Sequence, residues 1–167
     1  AETGGRTSEI IGTWLKKSGR RDKVVIASKI AGSGDYTAHI RTTGFSPKSI
    51  KEAIDLELER LQTDYIDLYQ LHWPERDTNR FGVRDFKLDT KWEDNFNEIL
   101  HSLAGEIKAG RIRNIGISNE NSWGTMSWSV FRSITFFSSG SSSSTSCIIS
   151  ADCRSCSIEK SSSEYIF

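Results

Sequence analysis

Apolar positions recur in regular blocks through residues 1–128, and their spacing predicts alternating helices and strands. A return of apolar side chains every three or four residues, as in amphipathic helices, marks 8–17, 50–61 and 92–107. Between these blocks stand runs rich in β-branched and aromatic residues, which predict buried strands at Val24–Ile30, 65–71 and Ile112–Ser118. Residues 121–128 indicate the start of a fourth helix.

Residues with special backbone preferences stand at the ends of these blocks. Gly19 and Gly110 are placed to end the first and third helices, and Ser46 followed by Pro47 is placed to begin the second. On the first helix, four apolar side chains are expected to share one face: Ile10, Ile11, Trp14 and Leu15.

The order of the elements indicates an α/β fold. Strands that alternate with helices and lack a polar face are typical of a parallel sheet covered by helices. Two architectures fit this pattern: a doubly wound open sheet, or part of a (β/α)8 barrel of which about three βα units are present.

The composition changes at residue 129. Of the last 39 residues 15 are serine, and a serine-rich tract buries too little apolar surface to offset its chain entropy. We expect 129–167 to be an irregular, disordered tail, and we interpret its abrupt onset as a frameshift, retained intron or mispredicted exon boundary. The alternative is a genuine alternative domain. The cysteines Cys147, Cys153 and Cys156 lack further zinc ligands at suitable spacing, so free thiols and no metal site are predicted.

The charge balance excludes several classes of function. The 22 basic and 22 acidic residues give a net charge of zero, so the chain has no excess of positive charge for binding nucleic acid or an anionic membrane. No apolar run reaches the roughly 18 residues that a membrane helix needs. The chain opens with Ala1 and no targeting signal follows, which we interpret as a missing true N-terminus. A cytoplasmic location is expected, with organelle targeting left open for that reason.

Polar residues stand where each predicted strand ends. The first strand ends at Lys29, the second at His72, and the third at Ser118 and Asn119. Carboxyl ends of parallel strands meet at one edge of a sheet or barrel, which is where active sites lie. The alternative is that these are ordinary strand-terminating residues. His39 and His101 are expected to be surface residues.

The residues at these strand ends resemble a known family. "SKI", "DYIDLYQLHWP" and "GRIRNIGISNE", in this order, resemble the aldo-keto reductases, and most closely their Tas-like branch. The resemblance spans about 2–128 and implies a partial (β/α)8 barrel domain, followed by the tail at 129–167. It also implies an NADP(H)-dependent oxidoreductase that reduces a small-molecule aldehyde or ketone.

The resemblance assigns roles to individual residues. Lys29 and His72 match the lysine and histidine of the catalytic tetrad, the lysine lowering the pKa of a tyrosine and the histidine orienting the carbonyl. Ser118 and Asn119 match the pair that binds the nicotinamide carboxamide. Trp73 matches an aromatic wall of the substrate pocket; its alternative is a core aromatic under a loop.

The chain also departs from the family pattern. The tetrad aspartate and tyrosine precede the helix "GGRTSEIIGTWL" in the family, and Tyr36, Tyr65 and Tyr69 do not match that tyrosine. Three strands cannot close a barrel of eight, so unpaired outer edges and a buried, uncompensated Lys29 are expected. The chain is therefore interpreted as an incomplete and inactive piece. The alternatives are a non-catalytic nucleotide-binding or channel-β-subunit-like module, or a non-functional product of a faulty gene model.

Overall fold

Helices and strands alternate in the order that the periodicity predicts. The structure is a computed structural model and describes residues 4–34, 37–39, 41–76, 78, 93–129, 146–149 and 164–166. Within these ranges the helices are α1 (Arg6–Ser18), α2 (Pro47–Leu61), α3 (Phe96–Lys108) and α4 (Ser122–Ser129). The strands are β1 (Val24–Ile30), β2 (Ile66–Leu71), β3 (Ile112–Ser118), β4 (Ser146–Ile149) and β5 (Glu164–Ile166).

The strands form one sheet in the order β4-β3-β2-β1-β5. The three strands predicted from the sequence are adjacent and parallel, with Ile30 opposite Leu71 and Leu71 opposite Ile117. This confirms the predicted parallel sheet. Because a parallel connection has to cross over the sheet, the segments between these strands carry the helices.

The outer edges of this three-stranded unit are paired, which corrects the expectation of open edges. β5 pairs in parallel with β1, and β4 pairs in antiparallel orientation with β3. Both added strands belong to the tail, so these two segments differ from the irregular structure that the composition indicates. The unpaired N–H and C=O groups of an edge strand offer any short extended segment a complete set of hydrogen bonds. The rest of the tail, including Cys153 and Cys156, lies outside the described residues.

The predicted helix ends are confirmed. Gly19 adopts a left-handed conformation with φ 63° and donates its N–H to the Leu15 carbonyl at 3.0 Å. The Ser46 hydroxyl accepts the Ser49 N–H at 3.3 Å, and Pro47 occupies the first position of α2. Gly110 follows α3 with φ 75°, a region that glycine enters without the steric cost of a Cβ.

The buried face of α1 agrees with the predicted one only in part. Leu15 is buried and Ile11 packs partly buried against the core, whereas Ile10 and Trp14 are 59% and 36% exposed. A Cβ on Gly12 would overlap the backbone of Arg60 and Leu61, so α1 crosses the end of α2 with its backbone unusually close. This contact turns the side of α1 that carries Gly12 and Leu15 inward and leaves Ile10 and Trp14 outside.

The hydrophobic core lies between the helices and one face of the sheet. Its buried members come from all four helices, α4 contributing Trp128, and from the three central strands. Side chains alternate along a strand, so Ile30, Tyr69, Leu71 and Ile117 share this helix-covered face. No helix within the described ranges is long and apolar enough to cross a bilayer.

A buried carboxylate ties the strands together near their amino-terminal ends. Asp67 of β2 accepts hydrogen bonds from Arg21 (2.8 Å), from Arg113 of β3 (2.9 Å) and from the Ile26 N–H of β1 (2.9 Å). The two guanidinium groups also lie 3.7 and 3.8 Å from the centre of the Tyr65 ring. Asp67 is 7% exposed, so these donors replace its hydration.

We expect Asp67→Asn to destabilise the fold. The amide keeps one acceptor oxygen and cannot accept hydrogen bonds from all three donors. It also no longer neutralises the positive charges of Arg21 and Arg113. Loss of such a buried partner costs about 1–3 kcal/mol, measurable by urea unfolding followed by circular dichroism. The matched control is Asp22→Asn, since Asp22 and its partner Lys23 are both 67% exposed and an exposed pair contributes little. Equal effects of the two substitutions would contradict this role for Asp67.

Candidate active site

The sequence-predicted residues lie at one edge of the sheet. Lys29, His72 and the pair Ser118–Asn119 stand at the carboxyl ends of β1, β2 and β3, which are neighbours in the sheet. The His72 N–H donates to the Ile30 carbonyl at 2.9 Å and so extends the β1–β2 ladder past the end of β2. The expected placement at one edge is therefore observed.

The side chains also share one face of the sheet. Ser28 and Tyr69 are paired and point toward the helices, since the Ser28 hydroxyl donates to Glu57 of α2 at 2.7 Å. Lys29 and its partner Gln70 therefore point to the opposite face, and alternation places His72 there too. Gly116 pairs with Gln70, which puts Ser118 on the same face.

Lys29 is exposed, which corrects the expectation that it is buried without a compensating carboxylate. Its ammonium group reaches water at the edge of the sheet, so the cost of an uncompensated buried charge does not arise. Its positive charge acts on the neighbouring His72.

Burial and charge set the protonation of His72. Its side chain is partly buried, and this burial lowers the pKa of the imidazole below its ordinary value of 6.5, with a smaller contribution from the positive charge of Lys29. The neutral form therefore dominates at pH 7. A neutral imidazole donates one N–H and accepts at its other nitrogen.

Trp73 supports the imidazole from one side. The two ring centres are 4.3 Å apart at an angle of 32°, and Trp73 is only 4% exposed. A Cβ on Gly32 would lie 3.3 Å from both the Trp73 indole and the Phe45 ring. The indole is thus packed between His72 and the loop after β1.

Asn119 joins the ends of β2 and β3. Its Nδ2 donates to the His72 carbonyl at 2.7 Å and contacts the Ser118 hydroxyl at 3.2 Å. Its backbone is left-handed, with φ 56°, a conformation that asparagine adopts more readily than most residues. Ser118 is 6% exposed, so the hydroxyl and the carboxamide form a fixed polar pair beside His72.

Tyrosine hydroxyls are missing from this edge among the described side chains. Tyr69 is 1% exposed on the helix-covered face, where burial raises its pKa. The Tyr65 ring stacks between the guanidinium groups of Arg21 and Arg113 near the opposite end of the strands. Tyr36 and the side chain of Tyr165 lie outside the described residues.

One cavity opens beside this edge and contains only part of the predicted site. Trp73 and Ser118 line it, whereas Lys29 and His72 do not. It has room for about one water molecule. The described residues therefore bring Lys29 and His72 together, and Trp73 and Ser118 together, without joining all four in one enclosed space.

A buried ion pair behind the site was not predicted from the sequence. Arg76, four residues after His72, donates from Nη1 to Oε1 of Glu120 at 2.8 Å, and Nη2 bonds to the other carboxylate oxygen. Their side chains are 8% and 3% exposed. The signal was present as charged residues directly after "HWP" and "ISN", but two loops 44 residues apart cannot be paired from periodicity.

The remaining polar candidates do not join this edge. His39 and His101 are exposed, as expected, and the His101 Nδ1 lies 2.7 Å from the Asn97 carbonyl. Within the part of the chain that the structure describes, no group of three histidine, cysteine or carboxylate side chains could hold a metal ion.

Comparison with known proteins decides the family. The model of the aldo/keto reductase family matches residues 4–135. The chain belongs to the aldo/keto reductase family. This agrees with the family that the residues at the strand ends predict, which is a family of oxidoreductases.

Curated relatives are much longer than this chain. Protein tas of Escherichia coli (strain K12) is 46% identical over 132 residues, which are 75% of this chain and 37% of the relative. An aldo-keto reductase of Babesia bovis is 39% identical over 114 residues, 62% of this chain and 40% of the relative. The chain spans well under half the length of the relatives it matches.

Solved structures confirm the fold class. A thermostable aldo-keto reductase in complex with the inhibitor epalrestat is 28% identical with a TM-score of 0.54, covering 75% of this chain and 36% of that one. An aldo-keto reductase from Klebsiella pneumoniae in complex with NADPH is 25% identical with a TM-score of 0.51, covering 73% and 33%. The helix–strand unit thus corresponds to about a third of these enzymes, in agreement with a partial (β/α)8 barrel.

We expect Lys29→Met to raise the pKa of His72. The substitution removes the positive charge that opposes imidazole protonation and leaves the larger contribution, burial, in place. The pKa should therefore rise without regaining its ordinary value, in an NMR titration of the imidazole signals. Lys23→Met is the matched control. Lys23 lies just before the amino-terminal end of β1, whereas Lys29 lies near its carboxyl end, so loss of Lys23 should not affect His72. An unchanged His72 pKa in Lys29→Met would show that the two groups do not interact.

Proposed function

We propose that the chain contributes to NADPH-dependent reduction of an aldehyde or ketone. The observation that carries this proposal is the placement of Lys29 and His72 on one face of adjacent strand ends, beside the Ser118–Asn119 pair. Membership of the aldo/keto reductase family supports the reaction class. The Klebsiella pneumoniae relative in complex with NADPH supports the choice of cofactor.

The polar pair fits a nicotinamide carboxamide. A primary amide needs both an acceptor and a donor, and a hydroxyl next to an asparagine side chain supplies both. Asn119 is held by its hydrogen bond to the His72 carbonyl, so its amide is already oriented before a ligand binds. NADPH, when bound there, would supply the hydride that reduces the carbonyl carbon.

His72 and Lys29 act on the other partners in this reaction. The neutral imidazole of His72 can donate its N–H to the substrate oxygen, orient the carbonyl and stabilise the negative charge that develops on it. The Lys29 ammonium would favour ionisation of a nearby phenol, which makes that phenol a better acid near neutral pH. Trp73 would form a rigid aromatic wall, since its indole is fixed between His72 and Gly32.

A second candidate is a nucleotide-binding module without chemistry. It is favoured by the positions of the two described tyrosine side chains: the Tyr65 ring contacts Arg21 near the other end of the strands, and Tyr69 is buried on the helix-covered face. In this case Ser118 and Asn119 would still bind the carboxamide of a nicotinamide. The first candidate includes reduction of a carbonyl and the second does not, whereas both include binding of a nicotinamide.

We expect the purified 167-residue chain not to reduce a panel of aldehydes with NADPH above background. A missing positioned acid lowers the rate by about 10²–10⁴, and no described tyrosine hydroxyl reaches the Lys29–His72 edge. The assay follows NADPH absorbance, with His72→Ala as the reference for background. Turnover that disappears in His72→Ala would contradict the prediction and would direct attention to Tyr36 as the acid.

Asn119→Asp tests the cofactor contact. The substitution keeps a residue that tolerates the left-handed backbone and removes the Nδ2 donor that fixes the side chain. We expect binding of NADPH, followed by its fluorescence, to weaken by about tenfold. Asn97→Asp, at an exposed position of α3, makes the same chemical change away from the site. Equal NADPH affinities of the two variants would show that Asn119 does not contact the cofactor.

A further inference from the structure

Two loops beside the candidate site are joined by a buried pair of opposite charges. Arg76 lies on the loop after β2, and Glu120 lies on the loop between β3 and α4. The guanidinium group donates two N–H groups to the two carboxylate oxygens, with Nη1 to Oε1 at 2.8 Å. This bidentate arrangement fixes both the distance and the relative orientation of the two side chains.

Neighbouring groups hold this pair from several sides. Glu120 also accepts the Trp128 indole N–H at 3.1 Å and the Asn121 backbone N–H at 3.2 Å. The Arg76 guanidinium lies 5.0 Å from the centre of the Trp123 ring. A Cβ on Gly124 would overlap both charged groups, so the first turn of α4 leaves space for them only because glycine stands there.

The pair follows the residues of the site along both loops. Glu120 follows Asn119, and Arg76 comes four residues after His72. The same two loops are joined a second time by the hydrogen bond from Asn119 Nδ2 to the His72 carbonyl. With Glu120 fixed, the backbone at Asn119 has little freedom to leave its left-handed conformation at φ 56°.

Stability alone is a weak reason for such a pair. The cost of removing two charges from water roughly cancels their attraction, so a buried ion pair contributes little net stabilisation. Its geometric effect is larger, since two parallel hydrogen bonds define one arrangement of the loops.

We propose that Arg76 and Glu120 are positioning residues that hold the Asn119 carboxamide and the His72 carbonyl in register. The inference extends the proposed function, since it rests on Asn119 as the cofactor contact. It predicts that the pair controls the Asn119 side chain itself, whether or not a cofactor is present.

The test compares two arginine-to-lysine substitutions in the 167-residue chain. Arg76→Lys keeps the charge and loses the two-pronged contact. Arg113→Lys is the matched control, because Arg113 also pairs with a buried carboxylate and stacks on an aromatic ring, but near the other end of the strands. The readout is the NMR signal of the Asn119 side-chain NH₂ group, which reports its hydrogen bond directly.

In the unsubstituted chain and in Arg113→Lys, the two Asn119 amide protons should stay at distinct, hydrogen-bonded positions. In Arg76→Lys, they should move toward the values of a solvent-exposed amide. NADPH affinity should fall by about tenfold in Arg76→Lys, the effect of one lost hydrogen bond, and remain within about twofold in Arg113→Lys.

Glu120→Gln keeps the shape of the side chain and removes its charge, and it should reproduce the Arg76→Lys signature. Circular dichroism of all variants separates unfolding from local change. The proposal is overturned if both site variants only lower the unfolding midpoint while the Asn119 signals stay in place, or if both fail to fold. If no NADPH binds to the unsubstituted chain but the Asn119 signals respond as described, the proposed function fails and the positioning role stands.

Discussion

The parallel pairing of β1, β2 and β3 is the constraint on which the rest of this molecule depends. Parallel hydrogen bonding forces all three strands to end at the same edge, and the register determines which side chains share a face. With Ile30 opposite Leu71 and Leu71 opposite Ile117, Lys29, His72 and Ser118 emerge together. A register shift of one residue would turn His72 toward the helices and leave the edge without its imidazole.

The loop after β2 connects this edge to its neighbours on both sides. Glu75 accepts the Phe45 backbone N–H from the loop before α2 and the Asn95 amide at 2.7 Å. The next residue, Arg76, reaches the opposite way to Glu120. Two adjacent residues of opposite charge therefore hold three loops in a fixed arrangement around His72 and Trp73. Apolar residues could not do this, because their contacts lack the directionality of hydrogen bonds.

The two ends of the sheet have different physical roles. Near the amino-terminal ends, Asp67 accepts hydrogen bonds from both of its arginine partners, and this buried contact ties the strands together. At the carboxyl ends, an exposed lysine, a partly buried imidazole and a hydroxyl–amide pair stand together at one edge of the sheet. This division agrees with the general placement of stability at one face of α/β barrels and chemistry at the other.

Much of the fold and of the candidate site could be predicted from the sequence, because both depend on local periodicity. Each strand from Val24–Ile30 to Ile112–Ser118, the capping by Ser46 and Gly19, and the common edge of Lys29, His72 and Ser118 follow from spacing and from the order of elements. Tertiary structure alone decided the Arg76–Glu120 pair, the exposure of Ile10 and Trp14, and the pairing of β4 and β5 with the outer strands. Periodicity defines the direction in which a side chain leaves its own element. Contacts between segments far apart in the chain decide the distances between loops, the close crossing at Gly12 and the choice of an edge partner. Only the packed structure brings those segments together.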